Sequence, residues 1–406
     1  MSAFDKIIGY ASVKKELKQI SDTLKNREAY DKLGVSAPKG LLLYGEPGVG
    51  KSLMATAVIQ ESGRKVFCCR KDSPNGDFIK KIKATFDEAM QNAPSIVYLD
   101  DMDKFANGDE RHPDAEEYVT VQSCIDEAKD TQVFVLATVN NMRCLPVSLR
   151  RAGRFDRTIR VDAPHGEDAV KIIAYYLKSK RFVDGVDPAV IAKIMDGRSC
   201  AELETVINEA GLYAGYERAE SITMDHFLKA CLRTVFHIVY DDRSDFEDEP
   251  DDCSRRLSDP DHTISQVIYH EAGHAVVSEV LCPESVTLVS ACCTSGDVGG
   301  FTSYYNDNSK TSLYWEKSRI IGSLGGIAAI EQKFGTSDLG CERDLDQAFD
   351  RTRDLIVQTC TSGFRFHNNN YSNSERLMSE QEQAVAAEVE KYYRKAKEIL
   401  SANWEF

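Results

Sequence analysis

Several classes of protein are excluded by what the sequence lacks. Its twelve cysteines include no CxxC pair, and the first residues, MSAFDKII, contain no apolar signal segment. Cysteines scattered in this way are typical of reduced thiols in a cytosol rather than of a disulfide framework. No apolar run approaches the ~18 residues that a membrane helix needs, so we expect a soluble, cytoplasmic protein with no membrane insertion.

The sequence also has fewer basic than acidic residues. The chain has 50 Lys and Arg against 65 Asp and Glu, which gives a net charge of −15. A nucleic-acid surface needs clustered Lys and Arg, so we expect no nucleic-acid partner. The 406 residues suffice for two or three domains, and the 42% of hydrophobic residues is ordinary for a soluble globular protein.

A phosphate-binding loop is present near the N terminus. The apolar run 41–44 indicates a short strand, GEPGVGKS follows at 45–52, and a helix is expected from Leu53 onward. In this GxxxxGK[ST] pattern the glycines let backbone amides close around phosphate oxygens at a helix N-terminus. Lys51 would contact the β- and γ-phosphates of ATP, and Ser52 would hold Mg²⁺. The expected nucleotide contacts of the loop are Gly45, Pro47, Gly48, Val49, Gly50, Lys51, Ser52 and Leu53.

Polar residues follow two further predicted strands. SIVYL ends in Asp100 and Asp101, and VFVLATV is followed by Asn140. After a phosphate-binding loop, Asp100 is expected to complete the Mg²⁺ shell and Asp101 to orient or deprotonate the attacking water. Asn140 could orient that water, although paired acids at a strand end can also be turn formers. Alternating strands and helices predict a parallel, doubly wound sheet.

The second half of the chain contains an HExxH pattern. His270 and His274 lie four residues apart in SQVIYHEAGHAVVSEVL, whose apolar spacing predicts a mostly buried helix. Both imidazoles can therefore reach one zinc ion, and Glu271 can take a proton from water beside it. Two structural histidines on a core helix remain the alternative. Glu279 is a nearby candidate for a third ligand, but it lies roughly 140° around the helix from His274.

An acidic segment separates the two halves. Ten of the 23 residues 240–262 are Asp or Glu and two are Pro. This composition indicates a solvated linker or insertion rather than a site. We expect a nucleotide-binding α/β subdomain at 1–161, a helical lid at 162–238, the linker at 239–262 and a second domain at 263–406.

The order GEPGVGKS, IVYLDDMD, LATVNN and SLRRAGRFDR resembles the AAA+ ATPases, and closely the ATPase module of the FtsH family. The resemblance implies that Arg154 and Arg157 are arginine fingers, which act in trans on a neighbouring subunit's nucleotide in a homo-hexamer. The alternative is that both arginines pair with local carboxylates such as Asp156. Ile8 and Gly9 resemble the segment that flanks the adenine, and residues 197–214 resemble the lid helix.

The same family takes its third zinc ligand from an aspartate that begins a later helix. LGCERDLDQA resembles that stretch and places Asp344 at the ligand position, while Asp346 would face another way. The expected fold is therefore α/β plus α: an AAA+ parallel-sheet domain with a helical lid, then a mainly α-helical zinc-peptidase domain. The expected cofactors are Zn²⁺, ATP or ADP, and Mg²⁺.

The resemblance implies an ATP-dependent zinc metalloendopeptidase that degrades unfolded or tagged polypeptides. Asp101 stands where the family has glutamate, and Lys71–Gly76 replaces an expected aromatic pore loop. Two alternatives stay open, the second of them because of Asp101 and the altered loop. One is an AAA+ remodelling ATPase without peptidase activity, and the other is a nucleotide-gated peptidase with weak ATP turnover.

Overall fold

The computed structural model describes residues 2–72, 75–106, 115–151, 153–181, 183–236, 263–290, 300–305, 311–336, 339–367 and 375–405. The chain divides into two compact units, Met1–Ala230 and Cys231–Phe406. The acidic segment expected to act as a linker lies outside the described residues. Within these ranges, no helix is both long enough and apolar enough to cross a membrane.

The first unit is built on a parallel sheet. Its strands are β1 (Gly40–Tyr44), β2 (Lys65–Cys69), β3 (Ser95–Leu99), β4 (Val133–Val139) and β5 (Arg157–Arg160). They lie side by side in the order β2-β3-β4-β1-β5, and all are parallel. β3 and β4 are buried along their whole length, as expected for apolar strands covered on both faces. The predicted parallel sheet is confirmed.

Helices surround this sheet and complete the unit. They are α1 (Ala11–Lys25), α2 (Arg27–Asp31), α3 (Lys51–Ser62), α4 (Asn75–Gln91), α5 (Ala115–Glu127), α6 (Gly166–Leu177), α7 (Pro188–Ile194), α8 (Cys200–Tyr216) and α9 (Met224–Phe236). The last helix continues past the end of the unit. The sequence predicts one amphipathic helix within 4–33, after a short lead, but the structure ends α1 at Lys25 and begins α2 at Arg27. Asn26, between them, leaves helical geometry with φ −109° and ψ 39°.

The second unit is mainly helical. Its helices are α10 (Thr263–Leu281), α11 (Leu313–Ser323), α12 (Gly325–Phe334), α13 (Glu342–Val357) and α14 (Glu375–Ala402). The strands β6 (Val286–Ser290) and β7 (Phe301–Tyr304) form an antiparallel pair. A buried core of aliphatic and aromatic side chains from α10 to α14 holds these helices together.

Close backbone contact between α10 and α12 positions the HExxH helix. A Cβ on Gly273 would lie 2.4 Å from the Gly325 carbonyl oxygen, and a Cβ on Gly325 would lie 2.5 Å from the Gly273 carbonyl oxygen. The sequence predicts one helix over 315–334 and a close helix approach at its glycines. The approach is confirmed, but the helix is two helices that meet at Leu324.

Candidate functional site

The phosphate-binding loop connects β1 to α3. Gly45 has φ +153°, and a Cβ there would lie 1.9 Å from the Val161 carbonyl oxygen, so only glycine fits. Lys51 is buried, and its Nζ donates to the carbonyl oxygens of Gly45 at 2.8 Å and Glu46 at 2.7 Å. Burial lowers the pKa of Lys51, against the opposing charges of the nearby aspartates 100, 101 and 103. Pro47 and Gly48 are exposed, Val49 is buried, Gly50 is half-buried, and Ser52 and Leu53 are exposed.

Thr138 joins the two aspartates at the end of β3. The backbone N–H of Asp101 donates to Thr138 Oγ1 at 3.0 Å, and that hydroxyl donates to Asp100 Oδ1 at 3.0 Å. Tyr98 also donates to Asp100 Oδ1, at 2.7 Å. Sequence reasoning missed Thr138, which is fully buried on β4. Asn140, two residues beyond Thr138, also contacts one of these aspartates, because its Nδ2 lies 3.3 Å from Asp101 Oδ1.

Asp101 is held by a second contact that the sequence did not reveal. Lys104 Nζ donates to Asp101 Oδ2 at 2.7 Å. Burial acts to raise the pKa of Asp101, but the hydrogen bond and charge of Lys104 outweigh it and lower the pKa. Asp101 itself adopts the left-handed conformation, with φ 51° and ψ 51°. Its carboxylate is therefore placed by its neighbours rather than freely rotating.

The N-terminal segment and the start of α8 meet the phosphate-binding loop. Ala201 N donates to the Gly48 carbonyl oxygen at 3.1 Å. Tyr10 Oη lies 3.4 Å from Cys200 Sγ, and that thiol contacts the Val49 carbonyl oxygen at 3.8 Å.

Gly9 comes just before Tyr10 and has φ +67°. A Cβ there would lie 3.0 Å from Asp168, so the turn after Ile8 packs tightly against α6. The predicted adenine-flanking segment therefore lies against α6, within the range 162–238 that the sequence predicts as the lid.

The two arginines of GRFDR have different surroundings. Arg154 Nε and Nη2 donate to the two oxygens of Asp126 at 2.9 and 2.6 Å, and Nη1 donates to the Ser148 carbonyl oxygen at 2.5 Å. Arg157 is exposed on β5, where it pairs with Leu41 of β1, and within the described part of the chain its guanidinium forms no hydrogen bond or ion pair. Asp156, the expected local partner, accepts backbone N–H groups from Lys39 and Gly153 instead.

Three side chains converge in the second unit. His270 Nε2 lies 3.0 Å from His274 Nε2 and 3.0 Å from Asp344 Oδ2, and His274 Nε2 lies 3.2 Å from Asp344 Oδ2. Both histidines and Glu271 are buried on α10. Asp344 lies in the first turn of α13, 70 residues from His274 along the chain. These three residues are the His/Asp group that could hold a metal ion within the described ranges.

The backbone around α11 and α12 fixes the rings of this cluster. His274 Nδ1 lies 2.9 Å from the Gly322 carbonyl oxygen, so Nδ1 carries the hydrogen and Nε2 keeps its lone pair. The N–H of Gly326 is further from Nδ1, at 3.3 Å, and is the weaker contact. A Cβ on Gly326 would lie 2.7 Å from atoms of both His270 and His274. Only glycine leaves room for the two rings at this point.

Asp344 is held as a carboxylate. Burial acts to raise its pKa, but hydrogen bonds and charge from His270 and His274 outweigh it and lower the pKa of Asp344 to about 2. The competing candidates lie elsewhere. Glu279 accepts the backbone N–H groups of Glu284 at 2.8 Å and Val286 at 2.6 Å. Asp346 is exposed on α13.

Glu271 is oriented by a residue on β7. Thr302 Oγ1 donates to Glu271 Oε2 at 2.8 Å and approaches the Glu271 backbone carbonyl oxygen at 3.1 Å. Gly300 allows this approach, because a Cβ there would lie 2.9 Å from Glu271 Cγ. Nothing in the sequence singled out Thr302, which is 31 residues from its partner.

A cavity of about 640 Å³ opens onto the cluster. Its wall includes His270, Glu271, His274 and Asp344, together with β7 and parts of α11 and α13. The volume lies within the range of small-molecule and peptide side-chain sites. A buried glutamate and three converging ligand atoms therefore face a space that a substrate segment can enter.

The donor set fits zinc. Two imidazole nitrogens and one carboxylate oxygen are the ligand types of catalytic zinc sites, which leave a fourth position for water or substrate. Their separations of 3.0 to 3.2 Å are close to the roughly 3.4 Å between ligand atoms around a tetrahedral zinc ion.

Comparison with known protein families agrees with both sites. Residues 41–163 match the ATPase family associated with various cellular activities (AAA), and residues 259–405 match peptidase family M41. The chain thus joins a segment similar to the AAA family to a segment similar to peptidase family M41. The AAA match contains the phosphate-binding loop, the paired aspartates and the two arginines, and the M41 match contains the His270–His274–Asp344 cluster.

Similar proteins carry both parts. The chain is 31% identical to an ATP-dependent zinc metalloprotease FtsH of Sulfurovum sp., over 87% of this chain and 53% of that protein. It is 29% identical to FtsH of Caldicellulosiruptor bescii, over 98% of this chain and 67% of that protein. FtsH 2 of Sphaerobacter thermophilus is 30% identical, over 85% of this chain and 52% of that protein. The chain thus spans about half to two thirds of the length of these relatives.

Proposed function

We propose that this chain is an ATP-dependent zinc metalloendopeptidase that degrades unfolded or tagged polypeptides. One observation carries the proposal. His270, His274 and Asp344 converge within 3.2 Å beside a buried Glu271, in a chain that also has an AAA domain. We place the ATPase module at 1–238, with its lid at 162–238, the linker at 239–262 and the peptidase domain at 263–406.

We assign three roles in peptide hydrolysis to residues of α10 and α13. His270 Nε2, His274 Nε2 and Asp344 Oδ2 would hold the zinc ion, which acidifies water and polarises a peptide carbonyl when bound. Glu271 is the general base. Its Oε2 is occupied by Thr302, which leaves Oε1 to take a proton from the attacking water and later deliver it to the leaving amine.

The AAA domain would supply the nucleotide-dependent step. Lys51 exchanges the carbonyl oxygens of Gly45 and Glu46 for phosphate oxygens when ATP binds, because a charged acceptor gives the stronger hydrogen bond. Ser52 and Asp100 hold Mg²⁺, and Asp101 with Asn140 positions the attacking water. The phosphate-binding loop, Ile8–Gly9 and the start of α8 enclose the nucleotide.

We propose that the working form is a ring of six copies, in which an arginine contacts the nucleotide of the adjacent copy. Arg157 is the better donor, because its guanidinium forms no hydrogen bond or ion pair among the described residues. Arg154 would first have to leave Asp126, to which it donates two hydrogen bonds. A molar mass of one subunit in the presence of ATP, measured by light scattering, would contradict the ring.

The direct test of the peptidase assignment is Glu271→Gln. The amide keeps the size and the hydrogen-bonding partner of the side chain but cannot accept the proton, so cleavage of an unfolded protein should be lost. ATP hydrolysis and zinc content should remain as in the unsubstituted chain. Glu390→Gln, an exposed acid on α14, controls for loss of one negative charge. Proteolysis that persists in Glu271→Gln contradicts the proposal.

A nucleotide-gated peptidase with weak ATP turnover is the second candidate. The contact that favours it is the 2.7 Å ion pair between Lys104 and Asp101, which holds the carboxylate expected to act on water. In that case a non-hydrolysable ATP analogue supports cleavage of unfolded substrates as well as ATP does. If cleavage needs ATP and fails with the analogue, turnover drives it.

A further inference from the structure

More arginines than carboxylates line the cavity of the His270–His274–Asp344 cluster. Arg319 on α11 and Arg343 and Arg351 on α13 line it. The carboxylates that line it, among the described residues, are Glu271 and Asp344. Both are already engaged, Glu271 by Thr302 and Asp344 by the two histidines. Among the described residues, neither carboxylate forms an ion pair with an arginine of the cavity.

Two of the three guanidinium groups are available to a ligand. Arg351 Nη1 donates to Glu316 Oε1 at 2.7 Å, so Arg351 is fixed. Across the described ranges neither the Arg319 nor the Arg343 guanidinium forms a hydrogen bond or an ion pair. Partial burial, and then the charge of Arg351, lower the pKa of Arg319. Both Arg319 and Arg343 are exposed, and a guanidinium without a carboxylate partner gains a charge-assisted hydrogen bond from an anionic ligand.

Helix stability does not account for Arg343. It lies in the first turn of α13, where exposed N–H groups and the helix dipole favour acidic side chains. A positive charge at this position is unfavourable for the helix. A carboxylate bound in the cavity would offset that cost, because it interacts favourably with both the guanidinium and the helix N-terminus.

We propose that Arg319 and Arg343 form a subsite for a substrate carboxylate, so that the cavity selects peptides with an acidic residue beside the scissile bond. The inference rests on the proposed peptidase function and deepens it by naming a substrate class. Arg351, which is paired with Glu316, is assigned no contact with the ligand. An endopeptidase substrate continues on both sides of the cleaved bond, so an Asp or Glu side chain, not a chain terminus, is the assigned ligand.

Peptide binding to the full chain tests the subsite without peptide cleavage. The background is Glu271→Gln, with ATP present, and fluorescence anisotropy compares peptides that differ only as Glu or Gln. Charge-assisted hydrogen bonds predict about tenfold tighter binding of the Glu peptide. Arg319→Gln or Arg343→Gln should remove this preference, whereas Arg394→Gln, an exposed change on α14, should retain it. Zinc content measured on every variant separates loss of the subsite from loss of the metal site.

Each outcome decides something. Equal binding of Glu and Gln peptides overturns the subsite, as does a preference that survives both arginine substitutions. A preference that disappears when the peptide C terminus is amidated assigns the arginines to a chain end and overturns the side-chain assignment. If the chain with Glu271 intact cleaves no quenched peptide carrying Glu, Gln or Leu, the peptidase function fails, while the binding comparison still decides the subsite.

Discussion

The hydrogen bond from Thr302 to Glu271 gives the sharpest test of the peptidase site. Thr302→Val removes the hydroxyl that donates to Glu271 Oε2 at 2.8 Å and leaves a side chain of the same branched shape on β7. The buried carboxylate then loses a partner and can rotate away from the position in which it takes a proton. We therefore expect slower peptide hydrolysis with the fold and the zinc ligands intact.

The size of the effect follows from the chemistry of the lost contact. A hydrogen bond to a charged group contributes about 1.5 to 3 kcal/mol. If all of it orients the base in the transition state, kcat/KM falls by about 10- to 150-fold. Thr302→Ser keeps the hydroxyl and should stay within about threefold of the unsubstituted chain, because only a methyl group is lost.

The assay is cleavage of a quenched peptide under conditions in which the rate gives kcat/KM directly. Zinc content and ATP turnover, measured on the same preparations, should not change in Thr302→Val. Activity of Thr302→Val equal to that of Thr302→Ser would show that the hydroxyl does not position Glu271. A parallel loss of zinc would assign Thr302 to the stability of the metal site instead.

Two further substitutions test the other contacts. Lys104→Met removes the lysine that donates to Asp101 at 2.7 Å. Because this ion pair is half-exposed, its loss should raise ATP turnover by at most about fivefold. The pKa of Asp101 rises with the loss of Lys104, so the acidic limb of the ATPase pH profile should move to higher pH, and an unmoved limb contradicts the assignment. Gly326→Ala places a Cβ 2.7 Å from atoms of both site histidines and should weaken zinc binding at least about tenfold in a chelator competition. Gly215→Ala, where a Cβ would meet nothing within 4 Å, is its control.

Much of the fold was predictable because the spacing of apolar residues along the sequence reflects local secondary structure. Continuous apolar runs predict β1, β3 and β4, and the phosphate-binding loop follows β1 at the expected place. The HExxH spacing brings His270 and His274 together because residues four apart share one face of a helix. Asp344 was different: it lies 70 residues from His274, and only the family resemblance suggested it.

The contacts that orient these groups could not be predicted. Thr302, Thr138 and Lys104 are ordinary polar residues in sequence, and their roles depend on which strands and turns pack beside the site. The break between α11 and α12 at Leu324 was not predicted either. Local apolar periodicity continues through this point and gives no signal for it.

The most direct test of the central claim is zinc content per subunit, measured alongside casein degradation with and without ATP. We predict about one zinc ion per subunit, as three protein ligands and one open position require. Degradation should need ATP, and Glu271→Gln should keep the zinc while losing the degradation. A protein that hydrolyses ATP but contains no stoichiometric zinc and leaves casein intact would contradict the account.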